Sequence, residues 1–126
     1  LPRLLLFVAV GGVLGALARA ALIALASASA ASDAAAVLVI NVIGSAVAGF
    51  LAARIADRMS DRARAFVFAG VLGGFTTFSA VSVDAVTASG GDGVAPGITA
   101  VITLGVGVIA PVVAAWVGLR LGRVPR

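Results

Sequence analysis

An all-α membrane protein of four transmembrane helices, the third of them broken, is what this sequence predicts, on three observations. Of 126 residues, 62% are hydrophobic and only 11% are charged, against about 45–50% and 25% in an ordinary soluble domain. Mean hydropathy is +1.23. The apolar residues fall into four runs, each near the ~20 residues a helix needs to cross a bilayer. Together these point to a single integral-membrane domain over residues 1–126. Cys, His, Lys, Glu and Tyr are all missing, which removes thiol, haem and zinc chemistry and nearly every general acid–base mechanism, so no enzyme is expected. Nucleic acid is not an expected partner either, because the arginines punctuate apolar runs instead of forming a soluble basic face.

The first span covers residues 4–26, too long for a secretory leader and followed by others of equal length. Gly11, Gly12, Gly15 and Ala16 let another backbone come close. Arg19 lies about 15 residues in, roughly 22 Å along the axis. It is either an anchor, alone or paired with Asp84, or a charge that attracts anions. The second span, residues 34–53, carries Gly44, Ala48 and Gly49, and is interrupted by Asn41 at a depth where its amide must find partners. Two readings stand: an interhelical hydrogen bond, or a donor lining a permeation path, with Ser45 on the same face.

The third span, residues 65–88, is the least lipid-like. Gly73-Gly74 followed by Thr76-Thr77 makes a poor continuous helix, because glycine is a weak helix former and threonine hydroxyls compete for backbone groups. A break is predicted here, and the adjacent glycines are not spaced as a GxxxG packing motif. Unwound backbone at membrane depth is tolerated only inside protein or along a cavity, where its peptide groups form ion sites. In the fourth span, residues 94–119, Thr99 and Thr103 share a face and are expected to bond to their own helix carbonyls. Pro111 is expected to kink it. The connections, residues 27–33, 54–64 and 89–93, are short and rich in small, charged or Gly/Asp residues, as helical hairpins require. A membrane β-barrel would instead show alternating segments of about ten residues.

Charge adds an orientation. Arg3, Arg54, Arg58, Arg62, Arg64, Arg120, Arg123 and Arg126 fall on one side of the four spans, and only Arg19 on the other. The positive-inside rule then places both termini and the middle loop in the cytoplasm. A multi-pass protein of the bacterial plasma (inner) membrane is expected.

Three segments together resemble the fluoride channel family known as Fluc or CrcB. Gly11-Gly-Val-Leu-Gly-Ala-Leu-Ala-Arg19 resembles its GGxxGAxxR pattern, Asn41-Val-Ile-Gly-Ser-Ala-Val-Ala-Gly-Phe50 its NxxGSxxxGF pattern, and Gly73-Gly-Phe-Thr-Thr-Phe-Ser79 its GGxTTFS signature. The resemblance implies an antiparallel dimer of four-helix subunits with two narrow fluoride pores, and a structural, non-transported Na⁺ at the dimer centre. It implies Asn41 and Phe78 as pore-lining residues and the backbone carbonyls of Gly73 and Thr76 as sodium ligands. Thr77, Ser79 and Ser82 would add nearby polar lining. The physical chemistry agrees: a hard cation suits carbonyl oxygens, and the positive edge of an aromatic ring can face a small anion.

The sequence departs from that pattern at Val81, where a second Phe is usual, at Val37 in place of Thr, and at Ala20 in place of an aromatic; no Tyr is available for the fourth helix. These gaps and the strong arginine bias together point to a heterodimer with a homologous chain of opposite orientation. The expected function is passive, fluoride-selective export that lowers fluoride toxicity, with membrane lipid and fluoride as partners. Two alternatives are a structural subunit that does not line a pore and a small four-helix multidrug exporter. The exporter would need Asp84 as its embedded carboxylate.

Overall fold

The computed structural model describes residues 2–29, 32–88 and 94–123. Four helical crossings are long and apolar enough to span a membrane: Arg3–Ala28, Asp33–Arg54, Asp61–Thr87 and Gly97–Gly122. Helix α1 is Pro2–Ala28 and α2 is Asp33–Arg54. Both outrun the apolar runs that predicted them, because Ala, Leu and Arg continue a helix until a cap or a breaker ends it. Ser32 starts α2 by accepting the Ala35 N–H at 3.2 Å.

The middle connection is shorter than the sequence suggests. A 3₁₀ turn, Ala56–Arg58, leads to Ser60, whose hydroxyl caps α3 (Asp61–Arg64) by accepting the Ala63 N–H. The chain then enters a π-helical stretch, Ala65–Leu72, then α4 (Gly73–Phe75), and after a break α5 (Phe78–Ala88). Nothing in the residue pattern announced the π geometry, a wider i→i+5 turn found often at functional sites. Helix α6, Val94–Gly122, is helical through Pro111. The expected Gly/Asp turn over residues 89–93 lies outside the described residues.

Two tight pairs hold the subunit together: α2 along α6, and α1 along the π stretch and α4. Small residues make both possible. A Cβ on Gly49 would collide with the Ala115 carbonyl oxygen, and one on Gly118 with that of Ala46. On the other pair, a Cβ on Gly15 would strike the Val71 carbonyl oxygen. A thin core is made by Ala36, Val37 and Ile40 of α2 with Val81 and Ala85 of α5. Most large apolar side chains point outward instead; Leu5 is 65% and Val101 70% exposed. In water that surface would be prohibitive, whereas hydrocarbon solvates it.

The arginine-rich helix ends meet at one pole. Arg54 donates from Nη1 to the Gly122 carbonyl at 3.4 Å, joining the ends of α2 and α6. Arg64 donates to the Ala56 carbonyl at 2.9 Å and closes the middle loop. The Arg120 guanidinium lies 4.8 Å from the centroid of the Trp116 ring, a cation–π contact.

Candidate functional site: the broken third crossing

The third crossing stops at Thr76. Its N–H makes the last helical bond, to the Leu72 carbonyl at 3.0 Å, after which the backbone turns extended at φ −86° and ψ 150°. The Thr76 hydroxyl donates to the same carbonyl at 2.9 Å, the local competition that makes threonine a poor helix continuer. Thr76 and Thr77 are non-helical, and helix resumes at Phe78. The interruption therefore lies within the predicted segment but not at its glycines. Gly73 and Gly74 remain helical, and at Gly74 glycine serves packing: a Cβ on Gly74 would collide with the Gly12 carbonyl oxygen, and one on Gly70 would lie 2.9 Å from the Gly11 Cα. A four-residue glycine spacing does operate, through Gly70 and Gly74. The 73–74 pair alone concealed it.

A backbone gap at membrane depth exposes N–H and C=O groups that cost several kcal/mol each if left unpaired. Asn41 of α2 answers both at Thr77. Its Nδ2 donates to the Thr77 carbonyl at 2.7 Å, and its Oδ1 accepts the Thr77 N–H at 2.8 Å. The side chain is 5% exposed. Of the two readings of Asn41, the bond between crossings is present, and it leaves one Nδ2 hydrogen uncommitted. It also has a consequence for Gly73: with the Thr77 N–H directed at Asn41, the Gly73 carbonyl loses the donor a continuous helix would supply.

Beside the break runs a groove of about 420 Å³, walled by Asn41 and Ser45 from α2, by Thr76, Thr77 and Phe78, and by Gly107, Val108 and Pro111 from α6. The Phe78 ring is 60% exposed. The Thr77 and Ser79 hydroxyls stand 3.0 Å apart and share a hydrogen bond at its edge. Ser82 is not part of this wall; its hydroxyl donates to the Phe78 carbonyl at 3.3 Å. Pro111, expected only to kink its helix, has no N–H to offer the Gly107 carbonyl, so α6 presents an under-bonded carbonyl in this part of the wall. Gly44 packs behind the break: an added Cβ would lie 2.6 Å from the Thr76 Cγ2 and 3.1 Å from the Phe75 ring. The sequence marked Gly44 through the small-residue stripe and the NxxGSxxxGF pattern, and Gly107 only by its place after Thr99 and Thr103 in the fourth span.

Val81 is buried, at 4% exposure. It presses on α6 so closely that a Cβ on Gly107 would collide with it. Gly107 borders the first groove and also a second of about 270 Å³, lined by Leu38, Val81, Asp84 and Thr103 among others. The Val81–Gly107 contact thus lies between the two. Arg19 lines neither groove. It is half-buried, one turn beyond Gly15 on the α1 face that packs against the first half of the third crossing. The expected Arg19–Asp84 pairing does not occur, since no ion pair joins them among the described residues and Asp84 lines the second groove between other helices.

The residues that could meet a metal are few. No group of three or more His, Cys, Asp or Glu occurs among the described residues. The donors at the break are backbone carbonyls and hydroxyls, a hard-oxygen set that fits an alkali cation far better than a transition metal. Two carbonyls from one chain, those of Gly73 and Thr76, are too few for a full coordination shell.

The chain was compared with known proteins. It is 47% identical over 90 residues to a protein of Corynebacterium jeikeium named fluoride-specific ion channel FluC 2, a match covering 70% of this chain and 50% of the relative. It is 50% identical over 80 residues to fluoride-specific ion channel FluC 1 of Rhodococcus jostii, covering 63% and 58%. It is 46% identical over 85 residues to fluoride-specific ion channel FluC of Cereibacter sphaeroides, covering 66% and 67%. The matched part thus spans between half and two thirds of these relatives' lengths. A family described as CrcB-like protein, Camphor Resistance (CrcB), matches residues 6–119. That stretch takes in part of every crossing together with the broken segment and Asn41, and on it the chain belongs to the CrcB-like family.

Proposed function

We propose that this chain is a subunit of a passive, fluoride-selective ion channel, and that the groove beside the broken third crossing contributes to its permeation path. The observation that carries the reading is the union of a stapled backbone gap with convergent donors. The uncommitted Asn41 N–H and the Ser45 and Thr77 hydroxyls meet an exposed Phe78 ring on one wall. A small, strongly hydrated anion needs donors to replace its water, and a ring edge adds positive quadrupole character without a counter-charge that would trap the ion. The names of the relatives support fluoride as that anion. No bond is made or broken; the protein orients dipoles and excludes bulk water. Ser79 extends the donor set through its bond to Thr77, and Ser82 supports the Phe78 backbone. Arg19 is an anchor of the outer half of α1.

In this reading the Gly73 and Thr76 carbonyls supply part of a structural Na⁺ site, completed by a second subunit. When bound, the ion would satisfy carbonyls that the break leaves without helical donors. The assembly is an antiparallel dimer in the bacterial plasma membrane, with this chain's arginine-rich pole and both termini in the cytoplasm. Relatives that bear the numbers 1 and 2 support pairing of two different chains, as does Val81, which is packed inside the subunit and offers no ring to a pore.

The test is fluoride efflux from proteoliposomes, read with a fluoride electrode, for the unaltered assembly and for Phe78→Ile in this chain. Because Phe78 is exposed, the variant should fold normally. Flux should fall about tenfold, the factor that ~1.4 kcal/mol of lost ion stabilisation produces. Unchanged flux would remove Phe78 from the path.

A further inference from the structure

We propose that the arginine-rich pole carries a binding site for one anionic phospholipid, seated between the start of α1 and the start of the third crossing. A groove of about 510 Å³ opens there, with Leu6, Phe7 and Val10 on one side and Ala63 and Phe66 on the other. Its polar members are Ser60 and Arg62. The Ser60 oxygen accepts the Ala63 N–H at 3.3 Å as a helix cap, which leaves its O–H as the one neutral side-chain donor at the groove. Arg62 is exposed, and its side chain makes no hydrogen bond, ion pair or ring contact among the described residues. That sets it apart from three other arginines of this pole, since Arg54 and Arg64 bond backbone carbonyls and Arg120 stacks on Trp116.

The chemistry selects the occupant. A floor built from Leu6, Phe7, Val10, Ala63 and Phe66 disfavours a polar ligand and accepts hydrocarbon. One unpaired guanidinium at its mouth asks for an anion, and its planar fork suits the paired oxygens of a phosphate. Depth agrees: the groove begins within a few residues of Arg3 and of the charged middle loop, where the headgroup layer meets the acyl region. An acyl chain held at Leu6, Phe7, Val10 and Phe66 places its phosphodiester near Arg62. Asp57 and Asp61 lie on the same loop, but Arg3, Arg58, Arg62 and Arg64 leave this end net positive, the charge complement an anionic headgroup needs. The proposal is independent of what the groove at the break transports.

Delipidated protein, in its native assembly, titrated with phosphatidylglycerol or phosphatidylcholine and examined by native mass spectrometry, provides the test. Phosphatidylglycerol should be retained about fivefold better, the contribution expected of one basic residue near a membrane surface. Arg62→Gln should abolish that preference, Arg123→Gln should keep it, and Val10→Trp should fill the groove and lower retention of both lipids. Glycerol phosphate, which has the anion without the chain, should not compete. Equal retention of the two lipids, a preference that survives Arg62→Gln, or competition by glycerol phosphate would overturn the site. So would Val10→Trp changing the oligomeric state with lipid retention intact, which would assign the groove to a second copy of the chain.

Discussion

A carboxamide is the one neutral side-chain group that presents a donor and an acceptor side by side, as a peptide unit does. This is why Asn41 can stand in for a missing strand or helix turn at Thr77. Asp would lose the donor, and Ser is too short to bridge both groups. Asn41→Ala strands the Thr77 N–H and takes one donor from the Thr77 carbonyl, which keeps the first helical bond of α5. An unsatisfied buried group costs about 1–3 kcal/mol, so the variant should lose about that much stability, measured as a lowered denaturation midpoint in detergent. Asn41→Asp should not recover the loss, because a carboxylate there sets an oxygen against the Thr77 carbonyl and buries a charge without a counter-charge. Equal stability of all three proteins would show that water, not Asn41, satisfies the gap. The sequence made Asn41 conspicuous as a polar residue in a run of Val and Ile. It did not reveal the partner, which lies 36 positions away and is backbone, so no side-chain pattern encodes it. Thr76 and Thr77 were legible for the opposite reason: their hydroxyl competition is local. Val81 was visible only as a departure from a pattern, and its burial against Gly107 depended on how α5 meets α6.

At the scale of whole elements, hydropathy alone located the four crossings, because bilayer thickness sets a length that composition must meet. Their ends were less legible, since a cap such as Ser32 or Ser60 decides a terminus by one hydrogen bond. The π stretch was invisible, as its turns contain ordinary Phe, Val and Ala. Helix pairing was half legible. Glycine abundance predicted close approach, yet which glycine meets which carbonyl depends on register. Gly49 and Gly118 face each other's helix with no space for a Cβ. Lipid is as apolar as leucine, so contact geometry rather than hydrophobicity holds α2 to α6. Gly118→Leu should therefore separate the pair at a cost of about 1–3 kcal/mol or more, as overpacking does. Gly105→Leu, where a Cβ meets nothing within 4 Å, should be tolerated. Thermal unfolding of the two variants in the same detergent decides the matter, and matched midpoints would count against carbonyl-to-glycine packing.

For the molecule as a whole, the arginine bias is its strongest asymmetry. Arg54, Arg64 and Arg120 have structural contacts at the basic pole, so orientation and loop architecture are coupled there. The Arg3 and Arg58 side chains carry charge at that pole with no such contact among the described residues. Reporter fusions to the two ends should find both on the cytoplasmic side in essentially all molecules. Expressed by itself, the chain should conduct fluoride poorly compared with its co-expression with a homologous chain of opposite bias. Full flux from the purified single chain would refute the paired assembly, whatever the orientation proves to be.

The Asn41 staple also imposes an order on biogenesis. Until the second crossing lies in the bilayer, the extended residues of the third have no carboxamide to meet them, and hydrocarbon offers no substitute. Synthesis from the N-terminus supplies Asn41 before Thr77 emerges, so the acceptor site is waiting when the difficult segment leaves the translocon. A circular permutant that delivered the third crossing first would present that segment to lipid bare, and quality-control proteases would meet it before its staple did.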